Sequence, residues 1–181
     1  FLENSSESVL AYGLQRKVNN FKKINLDEKI ITQDFSIISK PIFLAMRNSM
    51  FNPSQFLVRT DSCKLVGGCD ERVKFSQEYS LTLRLANLGS FIRLNYPIAI
   101  LPNIAPGQIS EKKNNQIHRV SKVLELFVNE NPNLSIFVKL FAVRRLTARS
   151  WRFARRKAKA NIFTKWFFFY VLGLLRFPFF K

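Results

Sequence analysis

The sequence predicts an α/β fold followed by C-terminal α-helices, and three observations predict it. Between residues 55 and 101 the local signals run strand, helix, helix, strand, which is the order of an α/β unit. After residue 110, two segments are apolar at helical spacing. The 181 residues are 47% hydrophobic and 14% aromatic, which is sufficient for a full domain with a buried core.

The first predicted element is a strand, because "VLAYGLQRKV" (residues 9–18) has strand composition. Pro41 argues against one continuous element across residues 30–50, whose structure the pattern leaves open. "QFLVRT" (residues 55–60) predicts a short apolar strand. "DSCKLV" then predicts a short helix, for which Thr60 or Asp61 can supply the N-cap.

Glycines predict the end of the short helix and the end of the helix that follows it. Gly67 and Gly68 predict a left-handed C-cap that ends the short helix. Ser76 predicts the N-cap of the following helix, and Gly89 predicts its end. Within that helix, leucines recur at spacings of four and three, which indicates one apolar face: Leu81, Leu85 and Leu88.

The remaining elements are two strands and the C-terminal helices. "FIRLN" and "IAIL" predict two short strands separated by Tyr96 and Pro97. "NNQIHRVSKVLELFVNE" and "NLSIFVKLFAVRRLTAR" predict two helices, with "NPN" as the break between them.

Positive charge is concentrated in the second part of the chain. The formal net charge is +17, and residues 1–110 hold 13 basic and 9 acidic side chains, whereas residues 111–181 hold 16 and 3. Eight Arg and Lys lie between Arg144 and Lys159, immediately ahead of the aromatic run "KWFFFYVLGLL". We therefore predict two regions, an α/β domain at residues 1–110 and a basic, aromatic helical tail at residues 111–181.

Cysteine and histidine usage argues against several classes of site. Cys63 and Cys69 have no neighbouring His, so neither a disulfide framework nor a zinc site is predicted, and we expect both thiols to be buried and reduced. His118 is the single histidine, which leaves no Ser-His-Asp triad and no His-ligated metal cluster. We expect it at the surface, and we predict no metal ligands.

Three pieces of the chain carry a family resemblance: "NSMFNPSQFLVRTDSCKLVGGCDE", "SQEYSLTLRLANLG" and "PGQIS". In their order and near their spacing, they resemble the C-terminal half of the catalytic domain of family-2 glycosyltransferases. The resemblance covers residues 1–110. It implies a glycosyltransferase A-type fold, in which a mixed sheet between helices binds a nucleotide-sugar with a divalent metal, Mg²⁺ or Mn²⁺, at an Asp-x-Asp motif.

That Asp-x-Asp motif belongs to the donor half of the family's domain, and it does not occur in the 181 residues. We therefore expect this chain to lack the N-terminal donor-binding half, and by itself to bind a nucleotide-sugar poorly. "FLENSSESVLAYG" has neither the basic nor the apolar region of a secretory signal and no initiating Met, so we expect further sequence ahead of Phe1.

The family's second acidic motif, Glu-Asp at a helix start beside the acceptor, falls on Gln77 and Glu78. The resemblance implies that Glu78 is the catalytic base of an inverting transfer, in which a carboxylate takes the proton of the attacking acceptor hydroxyl. It also implies an acceptor-binding loop formed by Gly67, Gly68, Asp70, Glu71 and Gln77.

Each of these residues also has an ordinary explanation. A carboxylate such as that of Glu78 stabilises the first turn of a helix, and Asp70 with Glu71 fits a polar turn after a C-cap. Both explanations stay open at this point. We expect Arg84 to be an ion-pair partner that packs its helix rather than a substrate ligand.

The aromatic run of the tail is too short for a transmembrane helix. Residues 166–175 are uncharged and span only about 15 Å as a helix, half of a bilayer core. Bulky aromatic residues after a basic cluster predict instead a helix in the membrane interface, peripheral on the cytoplasmic, inner face. The predicted membrane-contacting residues are Arg152, Arg155, Arg156, Lys157, Trp166, Phe167 and Phe168.

Two alternatives remain for the tail. The aromatic run can pack back onto the α/β domain, and the basic segment with Trp151 and Phe153 can bind nucleic acid. No recognised nucleic-acid motif accompanies the charge, so we expect no specific nucleic acid.

The function expected from the sequence is that of an inverting glycosyltransferase. It moves a sugar from a nucleotide-sugar donor to a glycan or lipid-linked acceptor in cell-surface polysaccharide synthesis. The alternative is a non-catalytic membrane- or polyanion-binding protein that retains half of a transferase fold.

Overall fold

The computed structural model describes residues 1–19, 34–73, 76–103 and 116–175. These residues form a four-stranded mixed sheet and six α-helices, which confirms the predicted α/β class with C-terminal helices. The strands are β1 (Ser8–Val18), β2 (Phe35–Ile38), β3 (Phe56–Val58) and β4 (Ser90–Pro102). The helices are α1 (Ile42–Arg47), α2 (Thr60–Leu65), α3 (Gln77–Leu88), α4 (Gln116–Glu130), α5 (Ile136–Lys157) and α6 (Lys165–Leu174), with a 3-10 turn at Pro53–Gln55.

Two long parallel strands lie at the centre of the sheet, with a short antiparallel strand at each edge. The order is β2, β4, β1, β3; β1 and β4 are parallel, and both edge pairings are antiparallel. A parallel pair requires a crossover connection, and α3, which turns directly into β4, is its last part. Gly89 at the end of α3 contacts Val9 at the start of β1. The first turn of α3 therefore lies about 16 Å from Gly89 along the helix axis.

β4 is one bent strand, so the predicted break at Tyr96 and Pro97 is wrong. Tyr12 pairs with Arg93 and Leu14 pairs with Pro97, so β4 advances farther than β1 between the two pairs. Such a bulge accommodates a proline, which has no N–H to donate to the ladder.

The sequence predicts the position of α2 correctly, but only part of the predicted capping is present. Gly67 and Gly68 have φ of +78° and +63°, which confirms the left-handed ending of α2. The N-cap residue of α2 is Arg59, not Thr60 or Asp61, and no side chain caps this helix. Arg59 instead donates from Nε to the carbonyl oxygen of Ser8 at 2.8 Å, which fixes the start of β1.

The predicted second helix begins and ends where expected. Ser76 is the N-cap residue of α3, but its φ is +65° and its hydroxyl accepts no hydrogen bond from the helix. Gly89 ends the helix in extended backbone. A Cβ at Gly89 would lie 2.6 Å from Val9 Cγ1, so the glycine permits close approach to β1. Leu81 and Leu85 are buried, whereas Leu88 is exposed at the helix end.

The cysteines differ in exposure from the prediction. Cys63 is half-buried in α2, and Cys69 is exposed. The prediction that both thiols are buried is therefore wrong for Cys69, because this residue follows the left-handed glycine pair in an open loop.

One hydrophobic core joins the α/β part to the helices that follow. Leu10, Tyr79, Leu83 and Leu85 lie in the same buried cluster as residues of α4 and α5. The contributing side chains of α4, α5 and the turn between them are Val123, Leu124, Phe127, Leu134, Val138 and Ala142. The predicted boundary at residue 110 and the "PGQIS" piece lie outside the described residues. Because the core spans both regions, α4 and α5 are part of the folded body.

Candidate functional site

Glu78, the predicted base, lies half-buried in the first turn of α3. Its side chain has no hydrogen-bond or ion-pair partner among the described residues. The neighbouring Tyr79 is 1% exposed and donates its hydroxyl hydrogen to the carbonyl oxygen of Met46 at 3.2 Å. Burial raises the pKa of Tyr79 to about 12, so this phenol stays neutral and anchors the turn. At this anchored helix start, the described residues therefore leave the Glu78 carboxylate without a partner.

Arg84 connects α3 to the glycine loop, defined here as residues 67–71. Its guanidinium donates to the carbonyl oxygen of Gly68 at 2.7 Å and to that of Val66. These carbonyls at the end of α2 have no partner within the helix, and a cation there is favourable. Arg84 is thus a packing residue, as expected, but its partners are carbonyl oxygens instead of a carboxylate. The contact holds the glycine loop beside α3.

Asp70 takes part in a second connection, which joins the glycine loop to α4 through Arg72. Its carboxylate receives hydrogen bonds from Arg72 Nε at 2.9 Å and Nη2 at 2.8 Å, and Arg72 also pairs with Glu130 at the end of α4. The hydrogen bonds from Arg72 hold the pKa of Asp70 below its ordinary value. Of the predicted acceptor-binding side chains, Asp70 is therefore already bound within the protein, whereas Glu71 and Gln77 are exposed.

The described residues do not supply a metal site. No three His, Cys, Asp or Glu side chains within them come together as a group that could hold a metal ion. These residues therefore do not fit the Mg²⁺ or Mn²⁺ that the family resemblance implies. The side chain of His118 lies outside the described part of the chain.

The predicted membrane residues divide between the surface and the contact of α5 with α6. Arg152, Arg155, Arg156 and Lys157 are exposed. Phe167 packs on Trp151 with ring centroids 5.3 Å apart, so it faces α5. Trp166 and Phe168 are 41% and 60% exposed. Together with other exposed apolar side chains they form what we call the aromatic surface: Ile162, Phe163, Trp166, Phe168 and Phe169.

The main partner of α6 is α5. Tyr170 stacks on Trp151 at 6.1 Å with an interplanar angle of 20°, and Gly173 lies directly against Thr147. The aromatic run thus packs back in part, while the aromatic surface stays exposed. Among the residues that the structure describes, no helix is both long and apolar enough to cross a bilayer.

Sequence reasoning passed over two arginines of α5. Arg145 and Arg149 are half-buried, and both donate to the carbonyl oxygen of Arg47 at the end of α1. Their spacing of four places them on one helix face, together with Arg152 three residues later. That periodicity was the signal available in the sequence, and it distinguishes these arginines from a general basic tail.

Comparisons with protein-family models, with curated proteins and with solved structures find no match to this chain.

Proposed function

We propose that this chain is the acceptor-side part of an inverting glycosyltransferase of the family-2 kind, which works at a membrane surface. The observation that carries the proposal is the carboxylate of Glu78 at the start of α3, which has no hydrogen-bond or ion-pair partner among the described residues. In a crossover between parallel strands the helix runs back along the sheet, so its first turn is expected on the side of the strands' carboxyl ends, where open α/β sheets place their ligands. The resemblance of residues 1–110 to that family supports the same role.

In the proposed reaction, Glu78 acts as the general base. Its carboxylate takes the proton of an acceptor hydroxyl while that oxygen forms a bond to the anomeric carbon of the donor sugar. The bond from this carbon to the nucleotide diphosphate breaks on the opposite face, so the configuration inverts and the diphosphate leaves with the electron pair.

The glycine loop supports the acceptor beside Glu78. Its left-handed glycines turn the backbone, and its connections through Arg84 and Arg72 hold it to α3 and α4. Glu71 and Gln77, which are both exposed, are the side chains available to bind sugar hydroxyls. The role of Asp70 is then to orient the loop, because its carboxylate is bound to Arg72.

The aromatic surface and the basic residues of α5 attach the protein to the membrane. Each Lys or Arg near an anionic surface contributes about 1 kcal/mol, and aromatic rings favour the headgroup boundary. We propose that the transferase works on the cytoplasmic, inner face of the membrane, where a lipid-linked acceptor is within reach.

The test is the Glu78→Gln variant of the natural protein, with Glu125→Gln as a matched control on an exposed face of α4. Turnover is measured as release of nucleoside diphosphate from a panel of UDP-, GDP- and dTDP-sugars supplied with membrane extract as acceptor. We expect the Glu78 variant to lose turnover and the control to keep it. Equal turnover in both variants would remove Glu78 from the mechanism.

The alternative is a non-catalytic membrane- or polyanion-binding protein, and the charge of residues 111–181 favours it. Salt and detergent separate the two binding modes. Loss of binding at moderate salt indicates phosphate contacts alone, while attachment that survives salt and yields to detergent indicates apolar insertion.

A further inference from the structure

Four arginines form a row on α5, which we call the arginine row: Arg145, Arg149, Arg152 and Arg156. Their spacings of four, three and four residues keep them within one face of the helix, over about 16 Å of its length. Arg144 and Arg155 lie outside this face, although they are close in sequence. The basic residues of α5 are therefore not spread evenly around the helix, because four of its arginines share one face.

The two half-buried members of the row, Arg145 and Arg149, have N–H donors that bind no acceptor among the described residues. Arg145 and Arg149 share a single acceptor, the carbonyl oxygen of Arg47, which Arg149 Nη2 reaches at 3.4 Å. The Nε atoms of both are buried and have no hydrogen-bond partner among the described residues. Each guanidinium carries five N–H donors, and most of them do not bind the shared carbonyl oxygen.

The charges of the row are also unbalanced. Burial, followed by the nearby Arg149, lowers the pKa of Arg145, and burial lowers that of Arg149. Arg152 acts on both in the same direction, so the three guanidinium groups lie within electrostatic reach of one another. No carboxylate of the described residues pairs with Arg145 or Arg149. Half-buried cations without an anionic partner among the described residues favour the binding of a negative ligand.

A groove between α5 and α6 adjoins the row. It has a volume of about 490 Å³ and is lined by Ala148, Trp151, Arg152, Arg155, Arg156 and Tyr170. Arg155 lies over the Trp151 ring at 5.9 Å, which positions its guanidinium at the groove wall. This volume is in the range of small-molecule sites. Arg152 and Arg156 belong to both the row and the groove, and Arg152 is the one next to the half-buried Arg149 in the row.

We infer that Arg145, Arg149 and Arg152 bind a phosphate or diphosphate group, and that the groove holds the part of the ligand next to that group. A guanidinium matches two phosphate oxygens with two parallel N–H donors, and several guanidinium groups suit an anion of more than one charge. In terms of the proposed function, on which this reading of the ligand rests, the group is the phosphate that links a glycan acceptor to its lipid.

The same chemistry is present in a soluble phosphate compound. Three of the five residues of the aromatic surface lie on α6, the helix that contributes Tyr170 to the groove, and this favours a phosphate that belongs to a membrane lipid. The experiment therefore uses a soluble probe and a lipid probe in parallel.

The soluble arm measures binding of inorganic diphosphate to the full chain by calorimetry and by the rise in melting temperature, at low ionic strength. The variants are Arg145→Gln, Arg149→Gln and Arg152→Gln. Arg144→Gln is the control, because it removes the same charge from the same helix outside the row. We expect each row variant to weaken binding about tenfold or more, and the control less than about twofold.

The lipid arm measures flotation with vesicles of phosphatidylcholine, with and without one-fifth phosphatidic acid. Dependence on phosphatidic acid that the row variants lose and the control keeps supports a lipid phosphate as the ligand. If only diphosphate binding responds to the row variants, the ligand is a soluble phosphate compound. Both results support the site.

The inference is overturned if the row variants and Arg144→Gln behave alike with both probes, because the effect is then one of net charge. It is also overturned if the row variants affect only the binding of polyuridylic acid, since the partner is then nucleic acid. A row variant that melts well below the wild type without ligand is replaced by the Lys variant at the same position, which keeps the charge and loses the fork. The Glu78→Gln variant separates the two proposals, because it is expected to bind diphosphate normally even where turnover is lost.

Discussion

Gly173 of α6 lies directly against Thr147 of α5, so that a Cβ at position 173 would lie 1.9 Å from Thr147 Oγ1. This contact sets how closely the two helices approach, and with them the rings of Trp151 and Tyr170. The groove and the aromatic surface both depend on this approach. Because glycine has no side chain, position 173 allows the close packing of α6 on α5.

Gly173→Ala is therefore expected to separate α6 from α5. Overpacking of this kind costs about 1–3 kcal/mol of unfolding free energy, which urea denaturation followed by tryptophan fluorescence measures. Leu174→Ala, at an exposed neighbouring position, is the control and should stay close to the wild type. A stability of Gly173→Ala equal to that of the control would contradict the close packing of the two helices.

Glu78→Gln is expected to lower turnover of the natural protein by about 10²–10⁴-fold, because the neutral amide cannot accept the proton of the acceptor hydroxyl. Nucleotide binding should be nearly unchanged, since Glu78 contacts the acceptor in the proposed reaction. Steady-state kinetics with a nucleotide-sugar, together with calorimetric titration of the nucleotide, separate the two effects. A large loss of nucleotide affinity would instead assign Glu78 to the donor.

The ion pair of Asp70 predicts a dependence of stability on pH. Because the folded pKa of Asp70 is lowered, its contribution is present above its ordinary value of 3.8 and is lost as the pH falls through the folded pKa. Asp70→Asn should lower the unfolding free energy at pH 7 by less than about 1 kcal/mol, since such exposed pairs contribute little. The difference from the wild type should shrink below pH 4. A difference that grows on acidification would contradict the pairing with Arg72.

The aromatic surface should dominate membrane attachment at moderate salt. Replacing both Trp166 and Phe168 by Ser removes side chains that are 41% and 60% exposed and lie outside the hydrophobic core, so the fold should be retained. Vesicle flotation should fall by about tenfold or more, because each inserted aromatic side chain contributes on the order of 1.5 kcal/mol. Leu57→Ser, on the exposed face of β3, is the control. Unchanged flotation of the double variant would show that these rings stay in water.

The close pairing of β1 and β4 leads to a further prediction. A Cβ at Gly13 would lie 2.8 Å from Ile98 Cγ1, just beyond the bulge at Pro97. Gly13→Ala should therefore reduce the unfolding free energy by about 1–3 kcal/mol. Ile98→Ala in the same chain should restore part of the loss, as measured by thermal melting. Failure of this second substitution to help would mean that the cost arises from the backbone.

Local signals determined much of what could be predicted here. The positions of β1, β3, α3, α4 and α5 follow from residue type and periodicity, because these features act over a few neighbouring residues. The left-handed Gly67 and Gly68 follow for the same reason. The break at Pro97 was wrong because β1 supplies the partner that keeps β4 extended through a bulge, and no local pattern contains that information.

The candidate site divides in the same way. The sequence by itself determined that Glu78 stands in the first turn of a helix, and that the basic residues precede an aromatic run too short to cross a membrane. Only the tertiary structure decided that Arg72 pairs with Glu130, that Phe167 faces Trp151, and that Arg145 and Arg149 converge on one carbonyl of α1. The physical reason is that these contacts join residues distant in the chain, whose geometry is set by helix packing around a common core.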